Sequence, residues 1–173
     1  AATSAFIDGI IAEHGRIDVL INNAGLGYMG SVQDIPPADY LEVLQVNVLG
    51  PYNLISAVLP AMTEKNSGTI INLTSARAFI PDRFYAAYCS SKAALLSMTQ
   101  CLHYDLEDSD VQIFAVSPGF TQTDMVEAIY SNSEFRAAAL TIDQGQPPER
   151  PAKVVAWFAR EAVAACQEAR LPV

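Results

Sequence analysis

Three short apolar runs, Val19 to Asn22, Thr69 to Leu73 and Val111 to Val116, constrain this chain more than any other feature. Each is rich in Val, Ile or Leu and ends at a cluster of turn-prone residues. Their near-continuous apolarity, without alternation, predicts strands of a parallel sheet covered on both faces. Long helical patterns lie between them, at roughly Pro37 to Thr63 and Ala86 to Glu107. A shorter one runs from about Ser4 to Glu13, and a last one runs from Pro151 to Ala169. Pro151 suits a first helical turn, where its missing N–H is no loss. Strands alternating with long helices predict an α/β, doubly wound sheet, and 173 residues is the size of one domain. The stretch from Ser131 to Pro148 is polar and irregular and reads as a loop.

Composition removes several classes of function. Apolar residues make up 51% of the chain and charged residues 17%, so a core can form and disorder is excluded. A formal charge of −9 repels phosphate backbones, so no nucleic-acid partner is expected. Cys89, Cys101 and Cys166 match no metal-ligand spacing, and an odd count argues against a disulfide framework. They read as free thiols in a reducing compartment. His14 and His103 are isolated, and without clustered His, Asp and Glu a metal-dependent hydrolase has no support. No metal site is expected. No apolar run approaches the ~18 residues of a membrane span. The first residues also lack the basic start and apolar stretch of a signal peptide. The expectation is a cytoplasmic protein without a membrane partner.

The pattern from Pro37 to Thr63 contains a conflict. Its period is helical, yet Gly50-Pro51 lies inside it. Pro51 has no N–H for the carbonyl four residues back, which belongs to Asn47. A kink is therefore expected, leaving the Asn47 backbone oxygen free to hold a water.

Tyr88 and Lys92 stand four residues apart in Tyr88-Cys89-Ser90-Ser91-Lys92, a spacing that puts both on one helix face. An ammonium beside a phenol favours phenolate and would lower a pKa normally near ~10. Tyr88 would then serve as general acid or base near neutrality. Cys89, roughly a third of a turn further on, reads as a small packing residue. Tyr85 reads as a core or rim aromatic, and Trp157 and Phe158 as the packing face of the last helix.

The strand ends complete a set. The first runs into Asn22-Asn23-Ala24-Gly25, the second into Thr74-Ser75 and the third into Ser117-Pro118-Gly119-Phe120-Thr121-Gln122-Thr123-Asp124-Met125. Asn47 lies in Val46-Asn47-Val48-Leu49-Gly50. In this order and spacing, from about Ile17 to Met125, the chain resembles the short-chain dehydrogenase/reductase family. The resemblance implies a Rossmann-like fold and transfer of a hydride between NAD or NADP and a small alcohol or carbonyl substrate. It implies Tyr88 as the proton donor or acceptor and Ser75 as the group that polarises the substrate carbonyl. Lys92 would lower the Tyr88 pKa and hold the nicotinamide ribose, and the Asn47 backbone carbonyl would hold a relay water. Asn22, Ala24 and Gly25 would pack near the adenosine side of the cofactor. Pro118, Gly119, Thr121 and Thr123 would hold the carboxamide and diphosphate side. Phe120, Met125, Ile129 and Tyr130 would form an apolar pocket wall. Members of the family commonly pair through the two long helices, so a homo-oligomer is expected.

The chain also departs from the family. No Gly-x-x-x-Gly-x-Gly precedes Asn22. The expectation is a partial domain holding strands four to six of the family sheet, without the Gly-rich βαβ part and without the last strand. Its outer strands would be exposed edges. By itself it would bind a dinucleotide poorly. The alternative reading is a truncated, non-catalytic relative that acts only through its helices; the joint presence of Asn47, Ser75, Tyr88 and Lys92 favours the enzyme.

Overall fold

A computed structural model describes residues 2–131 and 145–162. Helix α1 (Ala2–His14) leads into strand β1 (Val19–Asn22). Helix α2 (Pro37–Leu44) passes through a π-helical turn (Gln45–Leu49) into α3 (Gly50–Glu64). Strand β2 (Gly68–Leu73), a 3-10 turn (Ala76–Ala78), helix α4 (Ala86–Asp105) and strand β3 (Val111–Val116) follow. Helix α5 (Asp124–Ser131) comes next, then α6 (Glu149–Trp157) and a π turn (Phe158–Ala162). The three expected strands form within one residue of their predicted bounds. Cys166 and the end of the last helical pattern lie outside the described residues, as does most of the stretch read as a loop.

The sheet is parallel in the order β1-β2-β3, with Val19 opposite Thr69 and Gly68 opposite Val111. Its two faces pack separately. Ile70, Val111 and Ile113 face Ile7 of α1 and Ile55, Val58 and Met62 of α3. Ile71, Leu73, Phe114 and Val116 face the other way, onto Val155, Phe158 and Ala159. This two-sided burial is why the strands read as continuous apolar runs. Phe158 stacks at a tilt on Phe114, 4.9 Å between centroids. Trp157, expected on the same packing face, is instead 43% exposed and meets only the edge of Phe158. Among the described residues β1 and β3 each have one strand partner, and Ile21 on β1 is left 44% exposed.

The expected kink resolves differently. The helix runs on through the π turn, in which the Gly50 N–H donates to the Gln45 carbonyl five residues back. The wider turn gives the Pro51 ring room against the preceding turn, so the register changes and the chain stays helical. The continuous helix Pro37–Glu64, 28 residues long, holds an 18-residue window of mean hydropathy 1.2, long and apolar enough by length and composition to cross a membrane. That corrects the expectation that nothing reaches this length, because polar residues are spread thinly through the helix. Val43, Asn47, Ile55, Val58 and Met62 face inward, while Leu41, Leu49 and Tyr52 face outward.

Candidate active site

The C-terminal ends of the three strands meet around a cavity of about 450 Å³. In open parallel sheets this is where ligands bind. Asn23, Ala24 and Gly25 after β1 form one wall, and Thr74 and Ser75 after β2 form another. Pro118, Gly119, Thr121 and Thr123 after β3 form a third, and α4 brings in Tyr88 and Lys92.

Ser75 has extended backbone and caps the 3-10 turn, its Oγ accepting the Arg77 N–H at 3.2 Å. An oxygen that accepts in this way keeps its own proton to give. The Ser75 side chain faces the Tyr88 phenol across the same cavity and favours its ionised form. Lys92 is almost wholly buried, and its Nζ donates to the Leu73 carbonyl at 2.8 Å. That ammonium lies 5.7 Å from the Tyr88 ring centre.

The electrostatics correct one expectation. Burial raises the Tyr88 pKa above 10.0, the nearby Ser75 hydroxyl opposes this, and Cys89 adds to the rise. Desolvation of phenolate outweighs any pull from Lys92, whose charge is directed at Leu73. Tyr88 is therefore a neutral phenol at neutral pH. Lys92 is itself pushed down from 10.5 to about 8 by burial.

Lys92 makes stability depend on pH. Between about 8 and 10.5 the unfolded chain keeps the Lys proton and the folded chain has lost it. The unfolded state binds more protons there, so stability rises with pH across this window. Tyr88 works the other way, and only above 10. The denaturant midpoint should climb from pH 7.5 to 10 by the equivalent of up to ~3 kcal/mol more than in Lys92→Met. Parallel profiles for the two proteins would refute the buried-ammonium reading.

Asn47 is fully buried, and its side chain matters more than sequence suggested. Oδ1 accepts the Leu26 N–H at 2.8 Å, and Nδ2 donates to the Leu26 carbonyl at 2.7 Å and to Ser91 Oγ at 2.9 Å. Ser91 in turn donates to the Tyr88 carbonyl at 2.7 Å. The loop after β1 is thereby tied to the helical turn that carries Tyr88. A Cβ added at Gly25 would stand 3.5 Å from Lys92 Nζ and 3.6 Å from Asn47 Oδ1.

Asn22 does not reach the cavity. Its Nδ2 donates to Asn72 Oδ1 at 2.7 Å, and Asn72 Nδ2 donates to Thr99 Oγ1 at 2.8 Å. It fastens β1 to its register partner on β2, and its own Oδ1 is buried without a partner. Ala24, Gly25, Pro118, Gly119, Thr121 and Thr123 all line the cavity wall.

Sequence reasoning missed several wall residues. Gly27, Met29 and Arg77 line the cavity, and Tyr85, singled out as an aromatic that could line the pocket or sit at its rim, lines it too. Arg77 pairs with Asp82 at 2.8 Å and sits 5.0 Å over the Tyr85 ring. Its position two after Ser75 was the one available signal. Asp124 to Ser131, which follows this wall, is helical. Met125 and Phe120 do face the cavity, as expected for an apolar wall.

A parallel sheet with helices on both faces, and a serine, a tyrosine and a lysine gathered at its strand ends, make a Rossmann-like α/β arrangement. The short chain dehydrogenase family pattern matches residues 1–134, and the chain belongs to that family. It is 33% identical over 141 residues to dehydrogenase/reductase SDR family member 7B of Bos taurus, covering 80% of this chain and 43% of that protein. It is 28% identical over 156 residues to the 3-oxoacyl-acyl-carrier-protein reductase of Thermotoga maritima, covering 90% of this chain and 63% of that enzyme. The chain thus spans less than two thirds of either relative. Among solved structures, a metagenomic short-chain oxidoreductase in complex with NADP superposes with a TM-score of 0.73 at 32% identity, covering 94% of this chain and 64% of that one. NAD+-bound xylitol dehydrogenase superposes with a TM-score of 0.83 at 26% identity, covering 95% and 70%.

Proposed function

We propose that this site carries out oxidoreduction between a nicotinamide cofactor, NAD or NADP, and a small alcohol or carbonyl compound, with Tyr88 passing the proton. The observation that carries the reading is that Ser75, Tyr88 and Lys92 line one cavity at the ends of the parallel strands.

The cavity fits such a cofactor. Its volume lies in the range of small-molecule sites. Gly25 leaves the Lys92 ammonium uncovered by any side chain of its own. Lys92 has three N–H donors, of which Leu73 takes one, so donors remain for ribose hydroxyls. Ala24, Gly25, Pro118, Gly119, Thr121 and Thr123 would hold the rest of the nicotinamide half. When bound, the nicotinamide supplies the hydride chemistry. The NADP- and NAD+-bound neighbours support either dinucleotide.

The protein's own residues do the remainder. The Ser75 hydroxyl, held by the Arg77 N–H, orients a carbonyl oxygen. Tyr88, kept protonated by burial, donates to that oxygen as negative charge develops on it. In the reverse direction Tyr88 must first lose its proton. The Asn47 backbone oxygen, which Pro51 cannot engage, is left to hold a relay water. The open apolar face of α2 and α3 (Leu41, Leu49, Tyr52) supports pairing with a second copy along the long helices.

The test is carbonyl-dependent loss of reduced-nicotinamide absorbance by the full-length protein, over a panel of aliphatic and aromatic ketones and aldehydes. Turnover with at least one is expected. Absence of turnover together with absence of dinucleotide binding sinks the reading.

A further inference from the structure

Gln146 lies outside every motif of this chain and outside the cavity wall, yet it grips the loop that forms one side of the cavity. Its Nε2 donates to the Pro118 carbonyl, its N–H donates to the Phe120 carbonyl at 2.9 Å, and its own carbonyl accepts the Gln122 N–H at 3.0 Å. These bonds make a parallel bridge between Gln146 and Thr121. One residue, 28 positions away from Pro118, therefore holds three alternate residues of the loop after β3, Pro118, Phe120 and Gln122.

The flanking glycines are shaped to the same contact. Gly145 has φ +74, and a Cβ there would stand 2.9 Å from the Phe120 ring. Gly119 has φ +73, and a Cβ there would stand 3.0 Å from Gln146 Nε2. Both are left-handed conformations that favour glycine, and both leave room for the close approach. The loop's own side-chain bonds are long, Thr121 Oγ1 reaching the Pro118 and Gly119 carbonyls at 3.4 and 3.3 Å. Gln146 thus supplies the shorter restraint.

We propose that Gln146 is a positioning residue, fixing Pro118, Gly119, Thr121 and Thr123 in the geometry that receives the nicotinamide half of the cofactor. The proposal rests on the oxidoreductase reading above. A loop held in its bound shape avoids the ordering cost of binding, so the effect falls on cofactor affinity rather than on proton transfer.

The test uses the full-length protein, with Gln146→Leu to remove the donor at similar size and Gln146→Glu to place an acceptor against the Pro118 carbonyl. Calorimetric titration with NADH and NADPH should show affinity falling about tenfold in Leu and further in Glu. The KM for cofactor should rise in step, while kcat at saturation stays within about twofold, a split that lost stability alone would not produce. Folded variants that bind as tightly as the parent would overturn the proposal. A measurement without substitution guards against misfolding: on addition of cofactor, hydrogen exchange at the Gln122 and Gln146 amides should slow together. Slowing at Gln122 with none at Gln146 counts against the strap. If the unaltered protein binds neither dinucleotide, the oxidoreductase reading itself has failed.

Discussion

Replacing Tyr88 with Phe should lower kcat for carbonyl reduction by about a thousandfold or more, within the range expected for loss of a positioned proton donor. The fold should survive. The Phe ring keeps the shape of the phenol, and the ring is what packs here: a Cβ at Gly27 would stand 3.1 Å from Tyr88 Cδ2. The loss is a single hydroxyl beside Ser75, worth about 1 kcal/mol at most. The pH profiles follow from the raised pKa. Carbonyl reduction needs the protonated phenol, so it should hold through neutral pH and decline only beyond 10. Alcohol oxidation needs the phenolate, so it should rise toward alkaline pH. Steady-state kinetics in both directions, with circular dichroism of the variant, make the check. A folded Tyr88→Phe protein that keeps more than a few per cent of its activity would remove the proton role.

The second large effect is on stability. Asn47→Ala should destabilise the protein by about 3 kcal/mol. The side chain is fully buried, and its removal leaves the Leu26 N–H and carbonyl without their partners. It also frees Ser91 from the loop, so the link between that loop and the turn bearing Tyr88 is cut. For a domain of this size the thermal midpoint should fall by roughly 6–12 °C. Asn47→Asp should also destabilise: its carboxylate can still accept from Leu26 N–H, but it cannot donate to the Leu26 carbonyl, and it buries a charge. A midpoint shift of less than about 2 °C in Asn47→Ala would show that the clamp is unimportant.

Much of the architecture could be read from residue order. Ile70-Ile71 and Ile113-Phe114 are adjacent apolar pairs whose members face opposite sides of the sheet, so unbroken apolarity announced two covered faces. The Tyr88–Lys92 spacing announced a shared helix face, and both side chains reach one cavity. Gly50-Pro51 marked an irregular turn, although its form, a π turn with the helix continuing, depends on how the backbone relaxes around a ring. Spacing could not say how a charge is spent. Lys92 serves the Leu73 carbonyl, and burial of Tyr88 wins over attraction, because desolvation depends on everything packed around the phenol.

What the sequence determined by itself is local: which segments are strands or helices, and which polar residues fall at strand ends, since periodicity and turn chemistry act over a few residues. The tertiary structure alone decided the long-range pairings, Asn47 with Leu26, Asn22 with Asn72 and Gln146 with Pro118. Hydrogen bonds between residues 21, 50 and 28 positions apart leave no periodic trace. They exist because burying backbone and amide groups in the folded chain requires each to find a partner wherever the fold brings one.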